Sequence, residues 1–301
     1  MDVVIAGSHG LIGTALRAHL REQGHRVRRL VRAEPRAAEE FRWDPEAGTV
    51  DLRALSGADV VVNLAGVGVG DRRWSAGYKN EIRTSRTRST RTLAHALATT
   101  PDAPTTWIQA SAIGYYGDRG DEVLTESSTR GEGFLADVVA EWESATGEAA
   151  EAQVRVAHVR SGLVFSQQGG ALGRLLPLLR LGLGGHLGSG RQYWSWISLE
   201  DEVRAIAHLM TTPVSGPVNV TAPAPTRHGE VVAALAAALR RPAVVPVPAS
   251  ALRLALGEFS GEILSSQRVL PEALMESGFA FHHGDVTDVA EWVTGSHARR
   301  R

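Results

Sequence analysis

Three glycines near the N-terminus have the spacing of a phosphate-binding turn. Gly7, Gly10 and Gly13 follow a short apolar run and precede a segment of helical periodicity. In a strand–turn–helix of this kind, one glycine permits the tight turn, one lets the backbone approach a pyrophosphate, and one lets the helix pack on the strand. The first helical residues, Leu11 and Ile12, add free N–H groups that suit phosphate oxygens. The spacing therefore predicts a dinucleotide site.

The end of the second strand indicates which dinucleotide is bound. NAD sites usually place an Asp or Glu about 20 residues further on, where it accepts a hydrogen bond from the ribose 2′-OH. Here the strand runs into Arg32 without an acid at its tip, and Arg28 and Arg29 lie close by. A guanidinium binds a phosphate through two hydrogen bonds. We therefore predict NADP, with Arg32 at the 2′-phosphate. The alternatives are that all three arginines are solvated, or that Glu34 lies at the tip of a longer strand.

The elements that must position these residues alternate between strand and helix as far as residue 165. Strands are predicted at 3–6, 26–31, 58–64, 106–112 and 154–164, and long helices at 76–99 and 133–148. Such alternation is typical of βαβ units. We expect an α/β fold, a Rossmann-like doubly wound parallel sheet formed by residues 1–165 with strands from about 190–222. A smaller C-terminal lobe, 166–301, follows, and its last segment is about 245–295.

Composition excludes several kinds of function. The 32 basic and 33 acidic residues give a net charge of −1, so no general field attracts nucleic acid or an anionic membrane. The absence of cysteine excludes disulfides, thiolate metal sites and cysteine nucleophiles. No signal peptide is visible, and the leucine-rich run at 172–187 is too short and broken to span a bilayer. We expect a cytoplasmic monomer or homodimer with a small-molecule substrate, no nucleic-acid or membrane partner, no metal, and a solvated basic tail at 297–301.

Short motifs distributed over almost the whole chain match one family. They are Ala6 to Gly13, Asn63 to Gly66, Arg73-Trp74, Tyr78 to Ile82, Ser85-Arg86, Ser111 to Gly117, Gly133 to Ala136, Arg160 to Val164, Leu181 to Gly185, Gly188 to Tyr193 and Gln267 to Pro271. The set resembles the extended short-chain dehydrogenase/reductases, and within them the atypical epimerase family, some members of which are called SulA-like cell-division proteins.

The resemblance implies an NADP(H)-binding fold and a set of cofactor contacts. The implied contacts are Arg32, Leu64, Ala65, Glu81, Arg86 and Val164. The turn at Leu64, Ala65 and Gly66 also closes a buried strand, and ligands of open parallel sheets lie beyond the carboxyl ends of the strands. The alternative for Glu81 and Arg86 is an ion pair on a helix surface, and the alternative for Val164 is core packing.

The helix after the 106–112 strand lacks the proton donor of the wider superfamily. Active members carry Tyr-x-x-x-Lys there, a tyrosine that exchanges the proton and a lysine that lowers its pKa. In this sequence Phe134 or Leu135 stands near the tyrosine position, and Val138 or Val139 near the lysine position. The resemblance therefore implies a different mechanism, or none.

Two residues remain as candidates for catalysis. Ser111 carries a hydroxyl that can orient a carbonyl, and Tyr115, or its neighbour Tyr116, can donate a proton if positive charge is near. Lys79 and Arg160 are the candidates for that charge. The alternative is that both tyrosines pack beneath the cofactor turn.

The glycine-rich stretch after residue 165 predicts a substrate lobe. Tyr193, Trp194 and Trp196 can stack on a ligand, and His186 and Arg191 can hold an anionic group. The alternative is that these aromatic residues form the core of the lobe.

Two functions fit these observations, and whether the protein is an enzyme stays open. The first is an NADP-dependent oxidoreductase or epimerase that acts on a small carbonyl or sugar-like substrate by a non-standard mechanism. The alternative is a non-catalytic protein that senses NADP(H) or binds a partner, linked to cell division. A scaffold without any cofactor would not need the glycine turn.

Overall fold

Strands and helices alternate along the chain. A computed structural model describes residues 1–173 and 175–295, so the predicted basic tail at 297–301 lies outside the described residues. The strands are β1 (Asp2–Ala6), β2 (Arg26–Val31), β3 (Glu40–Asp44), β4 (Thr49–Val50), β5 (Val60–Asn63), β6 (Thr106–Ala112), β7 (Val123–Leu124), β8 (Arg155–Ser161), β9 (Leu163–Ser166), β10 (Gly169–Gly170), β11 (Tyr193–Trp194), β12 (Trp196–Ser198), β13 (Gly216–Val220), β14 (Thr226–Arg227) and β15 (Arg268–Val269). The helices are α1 (Leu11–Glu22), α2 (Ala76–Thr99), α3 (Phe134–Ser144), α4 (Gly147–Glu151), α5 (Leu175–Arg180), α6 (Leu199–Thr211), α7 (His228–Leu239), α8 (Ala249–Leu256), α9 (Ser260–Leu264), α10 (Glu272–Glu276) and α11 (Val286–Thr294).

One large sheet organises the N-terminal part of the chain. Among the described residues it has eight strands in the order β13-β8-β6-β5-β1-β2-β3-β4. Neighbouring strands are parallel, except that β4 runs antiparallel to β3. The strand order reverses at β1, which pairs with β2 on one side and β5 on the other. This is the topology of doubly wound dinucleotide-binding sheets, and it confirms the predicted fold class.

Helices cover both faces of this sheet, because its parallel strands are apolar on both faces. On one face, alternate β1 residues such as Val3 and Ile5 pack with α1 and α6. On the other face, Val4 of β1 and Trp107 of β6 pack with α2 and α4. The two cores fix the ends of β1, β5, β6 and β8 at one edge of the sheet.

Two predicted elements differ from the structure. The helix predicted at 133–148 divides into α3 and α4. The strand predicted at 154–164 leaves the main sheet at Gly162, where a side chain would lie 2.5 Å from the carbonyl oxygen of Ser195. The chain then continues as β9, which pairs with β10 and β12. The close approach of another segment, invisible in the sequence, breaks the strand.

The C-terminal lobe has its own core. Trp196 and Phe165 are fully buried and stack with their ring centroids 5.6 Å apart. They pack with α5, α7 and α11. Strand β13 returns from this part of the chain to the main sheet beside β8. The lobe is therefore tied to the cofactor half by a shared sheet as well as by packing.

Two buried acids begin helix α6. Burial alone would raise the pKa of Asp201, but the His283 imidazole, 3.6 Å away, and hydrogen bonds from the backbone N–H groups of His282 and His283 outweigh it and lower that pKa to about 2. Glu202 accepts only the Ser161 hydroxyl, at 2.6 Å, and its second oxygen has no partner among the described residues. Burial therefore raises the pKa of Glu202 to about 7.

We expect Glu202→Gln to stabilise the protein at alkaline pH. The raised pKa means that the folded state retains a proton that the unfolded state loses above about pH 4.5, so the wild-type free energy of unfolding falls as pH rises towards and through 7. The uncharged amide avoids this loss. Chemical denaturation at pH 5 and pH 8 should show the stability difference, variant minus wild type, growing by roughly 2–3 kcal/mol. Glu46→Gln, at an exposed site, should show no such growth; an equal effect there would contradict the assignment.

Candidate functional site

The glycine turn connects β1 to α1 at the point where the strand order reverses. Gly7 has a φ of +78°, and a side chain there would lie 2.6 Å from the backbone of Leu64. A side chain at Gly13 would collide with the carbonyl oxygen of Gly7. Gly10 is different, because it is exposed and its nearest contact would be an ordinary 3.5 Å. Close packing within the chain explains why positions 7 and 13 are glycine. At Gly10 the described residues make no such close contact, and the backbone is open to a ligand.

The N-terminus of α1 offers hydrogen-bond donors to that ligand. Gly10 is the N-cap residue, no side chain caps the helix, and its first turn contains no acid. The hydroxyl of Ser8 is buried in the same turn without a partner among the described residues. Uncapped N–H groups and the positive end of the helix dipole favour phosphate oxygens. The turn therefore fits the pyrophosphate of a dinucleotide.

Two of the three arginines near the second strand are occupied within the protein. Arg28 is buried; its guanidinium contacts Asp2 at 2.5 Å and donates to three backbone carbonyls of the turn at 53–56. Arg29 forms an ion pair with Glu40, the two charged groups lying 2.6 Å apart. The interpretation of these two residues as solvated is therefore wrong, because both hold β2 to its neighbours.

Arg32 is the arginine that remains available. It lies one residue beyond β2, is exposed, and has no ion pair or side-chain hydrogen bond within the described part of the chain. The competing acid, Glu34, lies further along the loop and pairs with Arg42. Arg32 thus presents a free guanidinium just past the carboxyl end of β2, where the 2′-phosphate was predicted.

The turn after β5 lies directly against the glycine turn. The buried side-chain oxygen of Asn63 accepts from the backbone of Ala65 at 3.1 Å, and its amide donates to Gln109 at 3.0 Å. Leu64 donates its N–H to the carbonyl of Ala6 at 3.0 Å and packs on Gly7. Leu64 and Ala65 are therefore adjacent to Gly7. This position is compatible with their predicted role as cofactor contacts.

Arg86 lies behind the same turn. A side chain at Gly66 would come within 3.3 Å of its side chain. Its guanidinium donates to the carbonyls of Val67 and Ile82, at 3.0 and 3.1 Å, but has no carboxylate partner within the described residues. Burial lowers the pKa of Arg86 to about 10, so it stays charged at neutral pH. The alternative ion pair with Glu81 does not form.

The two other implied contacts have separate surroundings. Glu81 is half-exposed and lies 3.6 Å from Arg72. Val164 belongs to β9 and packs against the main core. A side chain at Gly170 would meet both the Val164 carbonyl, at 2.5 Å, and Leu11 of the first helix, at 3.2 Å. Val164 therefore lies near the first turn of α1.

A buried polar network lies under the carboxyl edge of the sheet. Arg160 of β8 makes two hydrogen bonds of 2.8 Å with Glu143 of α3. Ser111 of β6 donates to the same carboxylate at 2.6 Å. Arg160 also donates to the hydroxyl of Tyr116 at 2.9 Å, and that hydroxyl donates to Asn219 at 2.7 Å. Against the effect of burial, the guanidinium of Arg160 lowers the pKa of Glu143.

The two candidate tyrosines differ in their surroundings. Tyr116 is fully buried, and burial raises its pKa, so its hydroxyl is committed to the network. Tyr115 is half-buried, and its hydroxyl makes no hydrogen bond with the described residues. The carbon at the centre of the Arg160 guanidinium lies 3.6 Å from the centre of the Tyr115 ring. Of the two residues predicted to place positive charge near Tyr115, Arg160 is therefore the one that contacts its ring.

Lys79, the other candidate for that charge, has different neighbours. Its ammonium lies 2.6 Å from a carboxylate oxygen of Glu258 and 4.6 Å from the centre of the Phe134 ring. Trp74 packs edge-on against Phe134 and also contacts Phe259. Lys79 thus joins α2 to the C-terminal lobe at the helix that lacks the usual tyrosine.

The predicted substrate contacts have mixed positions. Trp194 and Trp196 are buried in the core of the lobe, as the alternative interpretation held. Tyr193 is half-buried, with guanidinium carbons of Arg227 and Arg268 4.4 and 5.1 Å from its ring centre. His186 and Arg191 are exposed.

Several residues of the site were not predicted. Glu143, Asn219 and Glu258 were not singled out, although they hold Arg160, Tyr116 and Lys79. Each meets its partner only in the folded chain, 17 residues apart for Glu143 and Arg160 and more than 100 for the other two pairs, so no local spacing marks it. Residues 1–173 and 175–295 contain no cluster of metal-ligating side chains. None of the helices in these ranges is both long and apolar enough to cross a membrane.

Comparisons with known proteins agree with this geometry. The chain is 47% identical over 294 residues to the epimerase family protein Mb2239 of Mycobacterium bovis, and the match covers 97% of each chain. The structure of human epimerase family protein SDR39U1 (isoform 2) with NADPH matches with a TM-score of 0.91 at 30% identity, over 98% of this chain and 99% of that chain. A nucleoside-diphosphate sugar epimerase from Corynebacterium glutamicum matches with a TM-score of 0.78 at 37% identity, over 96% of this chain and 57% of that one.

The family models divide the chain into two parts. A domain of unknown function (DUF1731) matches residues 247–293. The NAD dependent epimerase/dehydratase family matches residues 3–221, which include the whole glycine turn and the Arg160 network. The predicted resemblance is confirmed, and the chain belongs to the NAD dependent epimerase/dehydratase family.

Proposed function

We propose that the protein binds NADP(H) and uses it to oxidise or reduce a small carbonyl or sugar-like substrate. The observation that carries the cofactor is the open backbone at Gly10 beside an uncapped helix N-terminus, with the unpaired Arg32 beyond the next strand. The likeness to the human protein solved with NADPH supports the same choice. NADP(H) would supply or accept a hydride.

The residues of the chain divide the work of holding the cofactor. The N–H groups of the first turn of α1 face the pyrophosphate, and Arg32 binds the 2′-phosphate. The turn at Leu64 to Gly66 lines the adenosine side, with the charge of Arg86 behind it. Glu81 accepts from a ribose hydroxyl, and Val164 packs on the cofactor from β9. This set combines backbone donors with two guanidiniums and has no carboxylate at the end of β2. The positive charge without a competing carboxylate suits the additional 2′-phosphate of NADP.

Tyr115 is the residue that we assign to proton transfer. Its hydroxyl is free, unlike that of Tyr116, and Arg160 lies against its ring. As Tyr115 gives its proton to a substrate oxygen, the fixed guanidinium stabilises the negative charge that develops on the phenol. Ser111 was predicted to orient the carbonyl, but it donates to Glu143. We therefore assign Ser111 to positioning Arg160 through that carboxylate.

The start of α3, where the usual tyrosine is missing, favours a second function, namely NADP(H) sensing without catalysis. Phe134 packs against Trp74 and Lys79, and its ring has no proton to exchange. A protein that binds NADP(H) tightly and turns nothing over would have this arrangement. It would report the cofactor level to a partner, in the monomeric or dimeric cytoplasmic form expected from the sequence.

Gly10→Asp tests the cofactor turn. The added carboxylate would lie where the backbone meets the pyrophosphate. We expect NADPH affinity to fall by about a hundredfold or more, because the carboxylate repels the phosphates and blocks their approach to the backbone. Fluorescence titration of NADPH measures it. Gly147→Asp, at an open position in the first turn of α4, is the matched control and should bind normally. Unchanged affinity in Gly10→Asp would remove this site.

Arg32→Ala tests the choice of cofactor. Hydrogen bonds between charged groups contribute about 1.5–3 kcal/mol, so the preference for NADPH over NADH should fall roughly 10- to 100-fold, with NADH affinity almost unchanged. Titration of both cofactors gives the ratio. Arg36→Ala, an exposed neighbour, is the control. A ratio that moves equally in both variants would mean that Arg32 does not bind the 2′-phosphate.

Tyr115→Phe tests catalysis. A panel of sugar nucleotides and small carbonyl compounds, followed by NADPH fluorescence, should first identify a substrate of the wild type. The variant should then lose about a hundredfold or more in kcat while it retains NADPH affinity, because general acid catalysis contributes at least that much. Tyr193→Phe also removes a phenolic hydroxyl but keeps the ring that can stack on a ligand, so it should retain kcat. Tight NADPH binding without turnover of any compound would instead favour the sensing function.

A further inference from the structure

Charge is unevenly distributed along this nearly neutral chain. Residues 152–257 contain ten arginines and only four acids, Glu200, Asp201, Glu202 and Glu230, a formal charge of +6. The remaining residues therefore carry −7, given the total of −1. Three of the four acids lie together at the start of α6, where two of them are buried. The near-zero net charge thus conceals a basic stretch, which ends before the acidic residues 258–301 with their four arginines and seven acids.

Part of this lobe exposes large aliphatic side chains. Leu181 is 71% exposed, Leu183 is 56% exposed and Val244 is 76% exposed. Leu178 and Val245 are exposed to a smaller extent, at 45% and 46%. Full burial of one such side chain is favourable, so a group of them in water is costly unless something covers it.

Leu178 lies in α5, and the other side chains belong to two adjoining loops, one after α5 and one after α7. The backbone N–H of Val245 donates to the carbonyl of Gly184 at 3.2 Å. A side chain at Gly182 would lie 3.4 Å from Pro242. Beneath the first loop Leu179 is fully buried, and a side chain at Gly184 would collide with it. The loops are thus anchored by inward residues, while their neighbours project outwards.

Arginines border the exposed leucines and valines. Arg180, Arg240 and Arg241 are exposed, and none of them has an ion pair within the described residues. Arg180 ends α5, and Arg240 and Arg241 follow α7. We call these three arginines, with Leu178, Leu181, Leu183, Val244 and Val245, the leucine–arginine patch.

We propose that the leucine–arginine patch binds an anionic phospholipid surface. Peripheral membrane binding needs apolar side chains that enter the acyl boundary and cations that meet anionic headgroups, and the patch has both. Charge complementarity excludes a basic partner. The aliphatic side chains are exposed on α5 and on two loops, so a fluid lipid surface accommodates them without a shaped partner. The sequence-based expectation of no membrane partner rested on the net charge of the whole chain.

Vesicle sedimentation of the full-length protein tests the proposal. The protein should sediment with vesicles of phosphatidylcholine and phosphatidylglycerol, and at least about tenfold less with phosphatidylcholine alone, because the arginines need anionic headgroups. Raised salt should weaken the binding by screening them. Failure of the wild type to sediment with the anionic vesicles would overturn the proposal.

Two variants separate the apolar and the charged contributions. Leu181→Ser with Val244→Ser, and separately Arg180→Gln with Arg241→Gln, should each reduce partitioning about tenfold or more. The matched controls are Leu52→Ser and Arg26→Gln, exposed residues near the opposite edge of the sheet, and they should bind vesicles normally. Unchanged NADPH affinity and thermal stability would show that all variants are folded.

A second copy of the chain is the competing occupant. Light scattering of the wild type and of the variant Leu181→Ser with Val244→Ser distinguishes self-association from lipid binding. A wild-type dimer that becomes a monomer in this variant would overturn the lipid proposal and assign the patch to self-association. Equal oligomeric states, together with the loss of vesicle binding, would support the lipid surface.

Discussion

The buried ion pair between Arg160 and Glu143 connects the strands and the helix that form the candidate catalytic edge. Burying two charges costs free energy, and only close geometry with further hydrogen bonds compensates for it. Here Ser111 and Tyr116 supply those bonds from two other elements. Removal of one partner would leave an uncompensated buried charge, which typically costs about 3–5 kcal/mol. The pair therefore fixes the relative positions of β6, β8 and α3, and with them the ring of Tyr115.

The glycine turn on the cofactor side depends on close backbone contacts. Gly7 and Gly13 let the β1 turn, the β5 turn and the first turn of α1 lie within contact distance. Asn63 fixes the second turn through bonds to Ala65 and Gln109. These contacts hold the backbone donors at the N-terminus of α1, where N–H groups and the helix dipole favour a pyrophosphate. The two halves of the site thus have different origins, one in backbone geometry and one in a buried polar network.

The C-terminal lobe contributes to the site and has a surface of its own. Glu258 contacts Lys79, and Phe259 contacts Trp74, so the lobe holds the two residues that pack against Phe134 of α3. Its outer segments expose aliphatic side chains bordered by Arg180, Arg240 and Arg241. A protein of this family with no tyrosine–lysine pair therefore combines a complete cofactor turn with an altered catalytic helix and an exposed patch on the second lobe.

The sequence by itself determined the features that depend on neighbouring residues. The alternation of apolar runs predicted the parallel sheet, the glycine spacing predicted the turn, and α3 without a tyrosine or lysine predicted the loss of the usual proton donor. Each is a local property, because strand burial, turn geometry and side-chain chemistry are set within a few residues. Strand β3 was not predicted, because its polar and apolar residues alternate near the edge of the sheet and form no continuous apolar run.

Only the tertiary structure decided which side chains are free. Arg28 and Arg29 pair with acids on other strands, whereas Arg32 pairs with none of the described acids. Tyr115 differs from Tyr116 because the Tyr116 hydroxyl donates to Asn219, over a hundred residues away. The break at Gly162 and the exposure of Leu181 likewise depend on segments distant in sequence. Burial and ion pairing are properties of packed neighbours, and packing brings together residues whose separation along the chain carries no periodic signal.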